Sequence, residues 1–175
     1  EDKEFYNHFG IDLMATLRAL ITNVKNTGTN KRLIGASTIT QQVAKNFLLS
    51  SEMSYERKIR EAILAIRIER AFTKNEILEL YLNEIYLGFK SYGVAAAALN
   101  YFDKSLDELD LSEAAFLAAL PKAPNNYNPI YRKKQATIRR NWVLSQMSKN
   151  GFIEDKIREI ESKKLINIRK SSGID

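Results

Sequence analysis

The sequence predicts a mainly α-helical domain, and three observations carry that reading. Apolar residues recur at helical spacing, as in Ile11–Val24, where positions 13, 14, 17, 20, 21 and 24 are apolar. All three prolines fall between Pro121 and Pro129, which leaves the rest of the chain open to helix. No run alternates apolar and polar residues with the period of two that a half-buried strand needs. The length of 175 residues, with 45% hydrophobic and 27% charged, suits a globular domain with a real core.

The first predicted helix is Ile11–Val24, with a wide apolar face on which Arg18 is the only basic residue. Lys25–Ile34 is polar and reads as a loop. Gly35 turns the chain, Ser37 or Thr38 then caps a helix to about Leu49, and Gln41 stands in the capping-box position after Thr38. Ser51-Glu52 signals a long helix through Phe72. Thr73-Lys74-Asn75-Glu76 is a clearer capping box, ahead of a stripe of Ile77, Leu78, Tyr81, Leu82 and Ile85. Gly88–Tyr92 interrupts, Gly93–Asn100 resumes, and Asp110–Glu113 caps a helix that must stop at Pro121. A last helix covers roughly Lys134–Asn150, and a charged tail follows Phe152.

Composition removes several chemistries. Without cysteine there is no disulfide, no Cys-ligated zinc and no thiol nucleophile. One histidine cannot build a multi-His metal site. The seven glycines form neither GxxxxGK nor GxGxxG, so a nucleotide-binding loop is unsupported. A net charge of +6 favours an anionic partner: phosphate, a membrane surface or nucleic acid. Charge-free stretches reach only about a dozen residues, short of the ~20 a spanning helix needs. The chain starts within a charged cluster and reads as an excerpt of a longer protein.

Three clusters hold polar residues that a surface helix does not need. In Glu1–Gly10 (EDKEFYNHFG), acidic residues either complement the dipole of the next helix or supply a carboxylate held against aromatic rings as a working base. His8 reads as a structural hydrogen-bonder. In Gly35–Asn46 (GASTITQQVAKN), a helix N-terminus rich in Ser and Thr offers backbone N–H groups and hydroxyls to an anion. Thr38, Gln42 and Lys45 share a face there. In Glu56–Ala62, Arg57 and Glu61 are spaced to pair, and Ile59, Ile63, Leu64 and Ile66 suggest that most of the helix is buried. Glu61 then stands either as a surface ion-pair partner or as a second catalytic carboxylate beside a basic patch.

In order and spacing these segments resemble the peptidoglycan glycosyltransferase family, the polymerase domain of class A penicillin-binding proteins. EDKEFYNHFG, GASTITQQVAKN, RKIREAILA and KNEILELYLNEIYLG match its four motifs in turn. The segment from Tyr92 to Pro129 is similar to the downstream part of 1A-type members. Ala36 stands where many members have a second glycine, and the loop 25–33 is slightly longer than in some relatives.

The resemblance implies a lysozyme-like, two-lobed helical domain over 1–151. A head and a small membrane-facing jaw at roughly 11–34 would make its lobes, and 152–175 would be a charged extension or linker. It implies polymerisation of lipid II into glycan strands, by inverting transfer and with release of undecaprenyl pyrophosphate. Glu1 would be the general base and Glu61 the second essential carboxylate. Asp2, Ser37, Thr38, Gln42, Lys45, Asn46, Arg57, Lys58 and Lys122 would bind substrate.

A divalent cation, Mg or Mn, could assist at Glu61, and no organic cofactor is implied. The implied partners are lipid II, the growing strand, a membrane surface, moenomycin-type inhibitors and a transpeptidase domain elsewhere in a longer protein, with no nucleic acid. The implied location is the extracytoplasmic (periplasmic) face of the bacterial cytoplasmic membrane. Two other readings compete. A lytic lysozyme-type enzyme would need no pyrophosphate-binding cations, and a non-enzymatic basic module would bind through the run Arg132–Arg140.

Overall fold

The computed structural model describes residues 1–29, 35–47 and 54–168. Eight α-helices and two short 3-10 turns form among them, and the only β pairing is an isolated antiparallel bridge between Tyr86 and Tyr92. The expectation of a mainly α fold holds. The chain folds as two compact units, Glu1–Glu84 and Ile85–Asp175.

The first unit opens with a non-helical turn over residues 1–10, followed by α1 (Leu13–Lys25), α2 (Ile39–Phe47), α3 (Tyr55–Ala71) and α4 (Lys74–Glu84). Each helix starts where the chain supplies a cap. Asp12 accepts the Ala15 N–H at 2.8 Å for α1. Thr38 and Gln41 form the expected reciprocal box for α2: the Thr38 N–H meets Gln41 Oε1, and the Gln41 N–H meets Thr38 Oγ1. Thr73 and Glu76 do the same for α4. For α3 the cap is Ser54, which accepts the Arg57 N–H at 3.1 Å; the expected start at Ser51-Glu52 lies outside the described residues, as does the expected helix end near Leu49.

α2 packs against both α3 and α4, and Val43, Ala44, Ala65, Ile68, Ile77 and Tyr81 fill the space between them. The face of α3 differs from the expected one. Ile59 and Ile63 are 60% and 48% exposed, whereas Glu61, Ala65 and Ile68 are buried. Positions 61, 65 and 68 are also at helical spacing, and the close approach of the first turn selects them. Gly10 (φ +82°) comes so near α3 that a Cβ there would lie 3.1 Å from the Ala65 carbonyl carbon and oxygen. Only a small residue in α3 and a glycine in the turn permit that approach.

No residue of α1 is buried. Leu13, Met14, Leu17, Leu20, Ile21 and Val24 are 47–75% exposed, so this unit carries a continuous apolar helix face in contact with solvent.

The second unit contains α5 (Val94–Phe102), α6 (Leu111–Ala119), α7 (Lys133–Lys149) and α8 (Asp155–Lys163) around a core of Leu87, Tyr101, Phe102, Phe116, Leu120 and Ile166. Asp110 and Glu113 cap α6 as expected, and Pro124 opens a 3-10 turn in the proline segment. The stretch expected to be an extension or linker is folded through residue 168. α8 packs on α6 and α7. The fully buried Arg140 of α7 donates to Ser112 Oγ, to the Ser162 carbonyl at 3.2 Å and to the Lys164 carbonyl at 2.8 Å. Its charged sequence disguised this, because few of its residues enter the core; Ile166, 5% exposed, is the main one.

Candidate active site

The first ten residues are folded back on themselves by their acid and their histidine. His8 Nε2 bonds the Asp2 carboxylate at 2.9 and 3.1 Å, and Asp2 Oδ2 also accepts the Ile39 N–H at 3.0 Å. The Asp2 and His8 side chains are only 4% and 9% exposed. Asp2 therefore joins the turn to the start of α2, and its buried carboxylate faces the positive end of the helix dipole. Asp2, which the resemblance gives to substrate, lines the neighbouring cavity and makes these bonds within the protein. The N-terminus of α2, expected to present free donors to an external anion, has an internal one at the Ile39 N–H. Its hydroxyls are engaged too: Thr38 Oγ1 donates to the Gly10 carbonyl at 2.6 Å and Thr40 Oγ1 to Glu69 at 2.6 Å.

Glu1 projects from this turn at an exposed position. It lines a cavity of about 380 Å³ whose walls include Asp12, Arg18 and Thr22 from the α1 region and Gly35 to Thr38 from the segment entering α2. Ser37, exposed on that wall, accepts a hydrogen bond from Lys58 Nζ at 3.0 Å. The same ammonium pairs with Glu61 Oε1. Glu61 is 1% exposed, and its second oxygen, Oε2, is buried without a hydrogen-bond partner. The expected Arg57–Glu61 pair is replaced by Lys58–Glu61, because i+3 and i+4 neighbours share a helix face and sequence spacing cannot choose between them.

Of the residues predicted for the site, Glu1, Asp2, Ser37 and Thr38 line the cavity, and Lys58 and Glu61 reach it through Ser37. Thr38 is buried as a cap and does not offer its hydroxyl. Gln42 is half-buried on α2, whereas its neighbour Gln41 is consumed by the capping box. Lys45 and Asn46 are exposed at the end of α2, and Arg57 is half-buried with its Nε lacking a partner. Lys122 is exposed and belongs to the second unit. Arg18 was legible as a lone cation on an apolar helix but not as a cavity residue. Tyr81, read as structural, is buried with an unpartnered hydroxyl. Burial, aided by the carboxylates of Glu1 and Asp2, holds that hydroxyl well above the usual phenol range.

Chemically, the first unit offers an exposed carboxylate at a cavity. Beside it, an ammonium shared between a hydroxyl and a buried carboxylate supplies fixed positive charge. That combination suits proton removal from one group and stabilisation of an anion on another.

The chain is 55% identical over 153 residues to penicillin-binding protein 1A of Rickettsia typhi, covering 87% of this chain and 20% of that protein. It is 51% identical over 172 residues to penicillin-binding protein 1A of Aquifex aeolicus, covering 98% and 23%. The crystal structure of penicillin-binding protein 1A from Haemophilus influenzae superposes with a TM-score of 0.54 at 42% identity, over 75% of this chain and 16% of that one. The chain thus spans about a fifth of the length of these relatives. The sequence profile of the transglycosylase family matches residues 1–148, and the chain belongs to that family.

Proposed function

We propose that this domain polymerises lipid II into glycan strands, joining the growing chain to a new unit with inversion and release of undecaprenyl pyrophosphate. The observation that carries the reading is the pairing, around one cavity, of the exposed Glu1 with the Ser37–Lys58–Glu61 chain. A sugar hydroxyl is a weak nucleophile, and a carboxylate placed to accept its proton is worth ~10²–10⁴ in rate. Glu1 takes that role. The departing diphosphate needs positive charge more than a proton, and Lys58 supplies it, with Arg57 and Lys45 nearby in sequence as further cations. Glu61 holds the Lys58 ammonium in place. Inversion needs attack from the face opposite the leaving group, which suits two carboxyl groups with separate tasks.

Mg or Mn fits this site as a companion of the diphosphate. Glu61 Oε2 is a buried carboxylate oxygen without a hydrogen-bond partner. No group of three His, Cys, Asp or Glu gathers among the described residues, and Mg²⁺ typically binds one or two carboxylates plus substrate phosphates. The exposed apolar face of α1 supports a seat against the outer surface of the cytoplasmic membrane, where lipid-linked substrate resides. Among the described residues no helix is long and apolar enough to cross a membrane. A transpeptidase domain would occupy part of the remaining length seen in the relatives, and moenomycin-type phosphoglycolipids would compete for the same cleft.

The test is polymerisation of labelled lipid II in detergent by the parent chain and by Glu1→Gln and Glu61→Gln. Strands from the parent, with Glu1→Gln reduced by ~10²-fold or more, are the expected result. Unchanged activity in Glu1→Gln would remove the base assignment, and release of fragments from preformed glycan would establish the lytic reading instead.

A further inference from the structure

We infer that Lys74 and Glu69, which none of the site expectations included, are positioning residues that hold the general base in register. The inference rests on the assignment of Glu1 as that base. Lys74 opens α4, and its ammonium is held by three groups. It donates to the His8 carbonyl at 2.6 Å and to Glu69 Oε1 at 2.7 Å, and it lies 4.5 Å from the centre of the Phe5 ring. Two of the three N–H donors of the ammonium meet oxygen acceptors, and the ring face of Phe5 adds a cation–π contact. Glu69 of α3, with a side chain 3% exposed, also accepts from Thr40 of α2 at 2.6 Å. One buried knot therefore ties α2, α3 and α4 to the first turn.

The path from this knot to the base is short. Lys74 holds the His8 backbone, the His8 ring holds the Asp2 carboxylate, and Asp2 adjoins Glu1. Asp2 Oδ2 also accepts the Ile39 N–H, directly after the segment that carries Ser37 and Thr38. The turn bearing the base and the wall bearing the Ser37–Lys58 contact thus share one anchor. A buried ion pair is a poor source of net stability, because desolvation offsets most of the attraction. Its service here is geometrical: it fixes which way the turn faces.

Measurements on Lys74→Met, Lys74→Arg and Glu69→Gln, with Lys74→Met also placed in a Glu1→Asp background, test this. In Lys74→Met, kcat for lipid II should fall ~10- to 100-fold, the scale of a misplacement near 1 Å, while KM stays within ~3-fold. Lys74→Arg, which keeps a charged donor, should recover part of the loss. Amide hydrogen exchange over residues 2–10 should quicken in Lys74→Met while α3 keeps its protection. In a Glu1→Asp background, whose base is already displaced, Lys74→Met should cost far less than in the parent. Glu69→Gln keeps the bond to the His8 carbonyl, gives an intermediate loss, and serves should Lys74→Met fail to fold. Unaltered exchange in the first turn, a loss carried by KM, or effects that multiply with Glu1→Asp would each overturn the inference. If the parent made no polymer, the glycosyltransferase reading would fail, and the exchange measurement would still decide whether Lys74 orders the turn.

Discussion

Replacing Arg140 with methionine should release residues 162–168 from α6 and α7 before the rest of the second unit unfolds. The guanidinium is fully buried and serves the Ser112 hydroxyl, the Asn141 side chain and the carbonyls of Ser162 and Lys164, and among the described residues no carboxylate is in direct contact with it. Burial pulls its pKa down, and the more distant Asp110 and Glu161 only partly restore it. Methionine fills most of the stem's volume but leaves the acceptors unmet, and each buried orphan costs about 1–3 kcal/mol. Relief of the guanidinium's own desolvation offsets part of that, leaving a net loss of about 2–4 kcal/mol. Burial of Ile166, worth about 1.5–3 kcal/mol, is then too little to hold the segment alone. At about 2–4 °C per kcal/mol, Tm should fall by roughly 5–15 °C. Limited proteolysis followed by mass spectrometry should find new cleavage between residues 160 and 168, with α6 and α7 still protected. A variant with parental proteolysis and a Tm within about 2 °C would show that Arg140 does not fasten this segment.

Two further outcomes follow from the same packing. Gly10→Ala should cost about 2–4 kcal/mol, from a left-handed backbone and a Cβ 3.1 Å from the Ala65 carbonyl; thermal melts compared with Gly28→Ala, which meets nothing within 4 Å, should separate the clash from the backbone term. At Asp110 burial raises the carboxyl pKa, but the Glu113 N–H and the Lys164 ammonium outweigh it and leave the pKa below the ordinary value. That contribution is present above the unfolded pKa near 3.9 and is lost as pH falls through the lower folded one. The Tm gap between the parent and Asp110→Asn should therefore narrow below about pH 4, modestly, because the side chain is 40% exposed; a constant gap would contradict the pairing.

Local signals in the sequence were read well, because their partners lie three or four residues apart. The capping boxes at Thr38/Gln41, Thr73/Glu76 and Asp110/Glu113 form as the residue types require. Motif order likewise gave the family. Contacts between distant residues were not legible. Nothing in EDKEFYNHFG says that its aspartate will meet Ile39, or that Lys74 will reach back to His8. The orientation of α3 failed for a related reason. Two helical stripes compete on that helix, and the one carrying a carboxylate goes inside because Ala65 lets Gly10 approach and Lys58 neutralises Glu61. The polar clusters mark the neighbourhood of the cavity, and the fold adds internal bonds at Asp2 and Thr38 that their sequence does not announce.

The bare face of α1 has a consequence for folding. A helix of 13 residues is marginal in water without tertiary burial, and α1 buries none of its residues. Its order therefore depends on the medium laid against Leu17, Leu20 and Ile21, so adsorption and helix formation become one coupled equilibrium. Because Ala15, Arg18 and Thr22 from the same helix line the cavity at Glu1, that equilibrium also sets how often the cavity has this wall in place. Under the proposed function, surfactant or lipid would then act on turnover as a structural component of the domain, and rates in plain buffer would fall with the fraction of chains in which α1 is formed.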